Sequence, residues 1–105
     1  MSLAENQLRF LRGKAHSLKP FILIGQHGLS DSVCAETDRT LQDHELVKVK
    51  VRGMERGERA ALVQQLAERT RSELVQRIGH VATLYRARTP LPKLVLPDAK
   101  PKAAD

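Results

Sequence analysis

The chain has 105 residues, which fits one domain and leaves little length for a second. A hydrophobic fraction of 41% is sufficient for a packed core and excludes a disordered composition. Lys and Arg number 18 against 12 acidic residues, and the resulting net charge of +6 favours polyanions as partners.

The first helix opens at Ser2-Leu3-Ala4-Glu5, which has the form of a capping box. Leu8, Leu11, Ala15 and Leu18 then recur at spacings of three and four, marking one buried face before Pro20 ends the helix. Phe21-Ile22-Leu23-Ile24 is an apolar run without alternation, which predicts an inner strand covered on both faces, with Phe21 in the core. Gly25-Gln26-His27-Gly28 ends it, and Ser30 caps a second helix through about Gln42, with Val33, Thr37 and Leu41 pointing inward.

From Leu46 to Arg52 the pattern alternates: Val47, Val49 and Val51 point one way, Lys48, Lys50 and Arg52 the other. Gly53 and Gly57 mark a flexible connection, and Ala60 to about Arg71 makes a third helix with Leu62, Val63, Leu66 and Ala67 as its stripe. Leu74–Ile78 and Val81–Arg86 are two strands joined through Gly79-His80, a pair suited to a type II′ turn. The proline-rich segment from Thr89 cannot continue a helix; Lys93 to Leu96 can follow the sheet edge, and residues 98–105 read as a disordered tail after a single domain over 1–97. The expected fold is therefore α/β, with three helices and a four-stranded mixed sheet in the order α-β-α-β-α-β-β.

The Gly25–Gly28 loop joins a strand end to a helix start, where backbone N–H groups and the helix dipole favour an anion. Glycines at both ends permit a sharp turn and a close phosphate approach, although an ordinary strand-to-helix turn has the same form and Asp31 places negative charge there. The cations Lys48, Lys50 and Arg52 require a face that is wet or in contact with a polyanion, and a solubilising face satisfies this equally. Arg9, Arg12, Lys14 and Lys19 form a second basic cluster, Arg86 and Arg88 a third. With only Phe10, Phe21 and Tyr85 as aromatics, base stacking cannot be extensive, and contact with phosphate and shape fits better.

His16, His27, His44 and His80 show no metal-ligand spacing, and Cys34 reads as a packing residue. No serine elbow, P-loop or paired carboxylates are present, so neither catalysis nor a cofactor is expected. One cysteine cannot form an internal disulfide, no apolar run reaches the roughly 18 residues of a membrane span, and the first residues lack a signal-peptide core. A cytoplasmic protein with no membrane partner and no small-molecule substrate is expected.

Leu11-Arg12-Gly13-Lys14-Ala15-His16-Ser17-Leu18-Lys19-Pro20, Ile24-Gly25-Gln26-His27-Gly28-Leu29 and His44-Glu45-Leu46-Val47-Lys48-Val49-Lys50 together resemble the CRM domain, the chloroplast RNA splicing and ribosome maturation domain. Bacterial YhbY-type proteins are its stand-alone form, and the likeness runs on through Ile78-Gly79 and Leu84-Tyr85-Arg86 to Leu96-Pro97. The resemblance implies a domain similar to the C-terminal domain of translation initiation factor three, and association with ribosomal RNA in precursors of the large ribosomal subunit. It implies RNA contact through Gly25, Gln26, His27 and Gly28 and a basic surface including Lys48 and Lys50, to which the clusters above add Arg12, Lys14, Lys19, Arg52 and Arg86. Thr37 departs from the family pattern, which calls for a larger apolar residue there. Two other readings fit the charge: a protein–protein module docking on ribosomal proteins, and non-specific DNA binding.

Overall fold

Seven elements follow in the expected order in a computed structural model, which describes residues 3–25 and 27–101. They are α1 (Glu5–Ala15), β1 (Ile22–Ile24), α2 (Asp31–His44), β2 (Leu46–Val51), α3 (Arg56–Thr70), β3 (Glu73–Ile78) and β4 (Val81–Tyr85). The sheet order is β1-β2-β4-β3, with β1 parallel to β2 and the other pairs antiparallel, so β4 is inserted between the strands that α3 connects.

The alternation of β2 separates two cores. Val47, Val49 and Val51 join Ile22, Ile24, Ala82 and Leu84 beneath α2 and α3, which contribute Leu41, Leu62, Val63 and Leu66. On the other face Leu46, Val75 and Tyr85 pack under Leu11 and Ala15 of α1. Thr37 is fully buried, and its hydroxyl donates to the Val33 carbonyl at 2.8 Å, which satisfies the polar atom inside the helix.

Several expectations require correction. The proposed capping residue Ser2 lies outside the described residues; α1 begins at Glu5 with Ala4 as its cap, and the Gln7 side chain accepts from the Ala4 N–H at 2.9 Å. Helix α3 starts at Arg56, not Ala60, and Gly57 lies in its first turn, where N–H groups have no helical partner to lose. Strand β1 is not interior: it is the sheet edge, with Phe21 51% and Leu23 58% exposed. Phe21 leaves the core and stacks on His44, centroids 4.6 Å apart. Gly79 has φ +58 while His80 stays in the negative region, consistent with the type II′ turn.

A buried acid fixes the segment after β4. Glu45, fully buried between α2 and β2, accepts from the Arg88 N–H on Oε2 at 2.8 Å, and from the Lys93 and Leu94 N–H groups on Oε1 at 2.7 Å each. These bonds lay Leu94 and Leu96 against the α1 cluster, so Lys93 to Leu96 form no edge strand. Burial first, and the Glu45 charge second, push the Tyr85 phenol above its ordinary pKa. Residues 98–101 carry no regular element; the Asp98 carbonyl accepts from Asn6 Nδ2 at 2.7 Å and the Lys100 N–H donates to Asn6 Oδ1 at 3.0 Å, while 102–105 lie outside the described residues.

Candidate nucleic-acid interface

The parallel β1–β2 register places the glycine loop. Ile24 lies opposite Val51, and the Arg52 N–H continues the ladder to the Ile24 carbonyl at 2.9 Å, so Gly25 emerges beside Arg52. The Gly28 N–H donates to the Gly25 carbonyl at 3.0 Å, closing the turn and using an amide that a phosphate would otherwise contact. Ser30 Oγ accepts from the Val33 N–H at 3.1 Å, and helix geometry leaves the Asp31 and Ser32 N–H groups without intrahelical acceptors. Asp31, the acid that argued against an anion here, pairs with Arg69 of α3 at 2.8 Å. That bond raises the Arg69 pKa and offsets the Asp31 charge.

The two glycines have different tasks. Gly28 sits at φ +69, a conformation strained for any L side chain, although an added Cβ would make only ordinary contacts, 3.5 Å to Met54 Cε and 3.9 Å to Leu62 Cδ1. At Gly25 an added Cβ would meet nothing within 4 Å, and its φ is not positive. Gly25 and His27 are exposed, and Gln26 lies outside the described residues.

The strand cations share one face. Lys48 and Lys50 point away from the Val47/Val49/Val51 core, on the α1 side, where α1 covers only the Leu46 end. Beyond α1 the face is open, and one cross-strand row runs Leu23, Lys50, Val81, Ile78, with Ile78 67% exposed. Lys48 Nζ donates to the Leu18 carbonyl at 3.0 Å, which ties it to the α1–β1 connection. Among the described residues the side chains of Lys19, Lys50 and Arg52 have no hydrogen bond or ion pair. Lys14 stands 5.5 Å over the Phe10 ring, exposed near the start of β1.

Two predicted cations are occupied elsewhere. Arg12 pairs with Glu5 at 3.0 Å. Arg86 donates to Asp38 Oδ1 at 2.6 Å, to the Thr70 carbonyl at 2.7 Å and to the Asp38 carbonyl at 2.9 Å, clamping the end of β4 to α2 and α3. Tyr85 pairs with Leu46, so Arg86 lies at the opposite end of the sheet from the glycine loop, roughly 17 Å away at strand rise. The sequence reading missed Arg56, Arg59 and Arg77, which line one open pocket with Gly79 at the loop end of the sheet. They lie on α3 and β3, and only the crossover of the chain brings them together. Among the described residues no group of three or more His, Cys, Asp or Glu can hold a metal ion, and no helix is long and apolar enough to cross a membrane.

Fold and site together define a class: a one-sheet α/β domain whose edge strand runs through a Gly-x-x-Gly turn into a helix, beside a row of strand cations. The CRS1 / YhbY (CRM) domain model matches residues 3–86, and the chain belongs to this family. It is 43% identical over 86 residues to a protein of Pseudomonas aeruginosa named "Probable RNA-binding protein", covering 82% of this chain and 83% of that one. It is 40% identical over 85 residues to an RNA-binding protein of Haemophilus influenzae, covering 81% and 86% of the two chains. The solution structure of a Staphylococcus aureus protein proposed to bind RNA matches with a TM-score of 0.78 at 36% identity, covering 91% of this chain and all of that one.

Proposed function

We propose that this protein binds RNA without catalysing a reaction, by holding the phosphate backbone along the β2 cation row and at the glycine loop. The observation that carries the reading is the run of Lys50 and Arg52, both without an internal side-chain partner, straight into the exposed Gly25 turn. Unpaired cations on an open sheet face attract a polyanion, and a turn with glycine at both ends lets it approach the start of α2. Family membership and the names of the relatives support RNA as that polyanion. The RNA is ribosomal, carried by precursors of the large ribosomal subunit in the cytoplasm, as the family resemblance implies. No cofactor takes part.

Lys14 and Lys19 extend the row past the start of β1, whereas Arg12 and Arg86 belong to the fold. Engagement of about four to six phosphates gives a log–log dependence of affinity on salt with a slope of about −3 to −5. Titration of a structured ribosomal RNA fragment at several salt concentrations measures it, and a flat response removes the mechanism. In cell extracts, co-sedimentation with pre-ribosomal particles should be lost after nuclease treatment. Persistence would identify a protein-docking module instead, and equal competition by duplex DNA at matched salt would identify non-specific binding.

The glycines supply a second test. Gly25→Val is expected to melt within about 2 °C of the wild type, because the site is open, and to weaken RNA binding about tenfold. Gly28→Val is expected to lose about 1–2 kcal/mol through its left-handed backbone, so it reports on folding first. Thermal melts beside RNA titrations check both. Unchanged RNA affinity in Gly25→Val would take the loop out of the interface.

A further inference from the structure

The helix-side pocket at the loop end of the sheet holds about 370 Å³ and is lined by Arg56, Arg59, Arg77 and Gly79. Arg56 and Arg59 lie one turn apart at the start of α3, where the helix dipole adds positive potential. Arg77 reaches it from β3, opposite Ala82, and Gly79 contributes a hairpin turn where an added Cβ would meet nothing within 4 Å. Among the described residues no acid lines the pocket, and Glu55, the cap of α3, lies outside its lining.

The guanidinium groups are largely uncommitted. Arg59 donates from one terminal nitrogen to the Met54 carbonyl at 2.9 Å, while its Nε is buried without a partner. Among the described residues the side chains of Arg56 and Arg77 make no hydrogen bond or ion pair. Three like charges at one opening repel one another unless an anion joins them, and planar guanidinium forks match the oxygens of a phosphate. The pocket also adjoins the interface: the Val51 N–H donates to the His80 carbonyl at 2.8 Å, next to Gly79, and Arg52 follows Val51.

We propose that this arginine pocket is a second phosphate-binding site for the same RNA, extending its contact from the open sheet face around Arg52 to the helix side. The inference rests on the RNA-binding reading above. Two sources supply the oxyanion: an internal phosphodiester, or a terminal 5′-monophosphate whose larger charge suits three cations.

The test uses the full chain and a 3′-labelled RNA hairpin with a single-stranded 5′ overhang, ending in either a 5′-hydroxyl or a 5′-monophosphate. The variant Arg56→Gln/Arg77→Gln spares Arg59, which holds the Met54 carbonyl, and is compared with the charge-matched Arg9→Gln/Arg39→Gln. The pocket variant is expected to lose about tenfold in affinity against roughly threefold or less for the control, with melting unchanged. An equal loss on both RNAs assigns the site to a phosphodiester, and a loss confined to the monophosphate RNA assigns it to the terminus. Losses no greater than the control's, with the wild type still binding, overturn this site alone. A wild type that binds neither RNA overturns the RNA reading and this inference together.

Discussion

Glu45→Ala should be the most damaging single change in the chain, lowering stability by about 3–5 kcal/mol. Its carboxylate accepts three backbone N–H groups, from Arg88, Lys93 and Leu94, all in a segment that makes no regular structure. An amide stranded in a buried site costs roughly 1–3 kcal/mol, and water entering at the partly exposed end offsets some of the total. For a domain of this size the loss corresponds to a fall of about 20 °C in Tm. Leu94 and Leu96 should leave the α1 cluster at the same time, so amide exchange should quicken at Arg88, Lys93 and Leu94 before it does in β2.

Backbone strain can be separated from the carboxylate at the same position. Glu45 has φ +64, its N–H donates to the Leu41 carbonyl at 2.8 Å, and its carbonyl accepts from the Arg86 N–H at 2.9 Å. Glycine relieves the left-handed strain and still removes the carboxylate, so Glu45→Gly should retain about 1 kcal/mol more stability than Glu45→Ala. Urea unfolding of both variants measures the difference. A Glu45→Ala protein that melts within a few degrees of the wild type would remove the latch.

The order of elements and the face carrying Lys48, Lys50 and Arg52 were legible in the sequence because both follow from short-range period. An alternating strand cannot place its valines inward without turning its lysines outward. The Gly25–Gly28 loop was legible as a sharp turn, but not which glycine its backbone requires; φ +69 assigns that to Gly28. The misreading of β1 has an equally physical cause. An apolar run without alternation describes a strand covered on both faces, but it also describes an edge strand whose odd residues remain open, as Phe21 and Leu23 do. The Glu45 latch and the arginine pocket were hidden for another reason. Glu45 meets partners 43 to 49 residues later. Arg77 joins Arg56 and Arg59 through an α3 crossover that local pattern does not register. Charge alone groups Arg86 with the other cations, whereas its Asp38 and Thr70 bonds, invisible to local pattern, give that charge an internal use.

Reversing Lys50 of β2 and Arg52 just past its end should have the largest effect on binding. In Lys50→Glu/Arg52→Glu, two attractive charges become repulsive at the place where the sheet face meets the glycine loop. Each reversal changes the local charge by two units, and at exposed sites the screened cost for the pair is about 3 kcal/mol, on the order of 100-fold in affinity. The salt slope should flatten by about two as those phosphate contacts disappear. Folding should be nearly untouched, because Lys50 is half-exposed between Leu23 and Val81, Arg52 lies past the strand end, and neither side chain holds an internal partner. The slope is the discriminating measurement, since a variant that lost affinity through partial unfolding would retain the wild-type slope on its folded fraction. A Lys50→Glu/Arg52→Glu protein with normal affinity and the full slope would place the RNA elsewhere on the molecule.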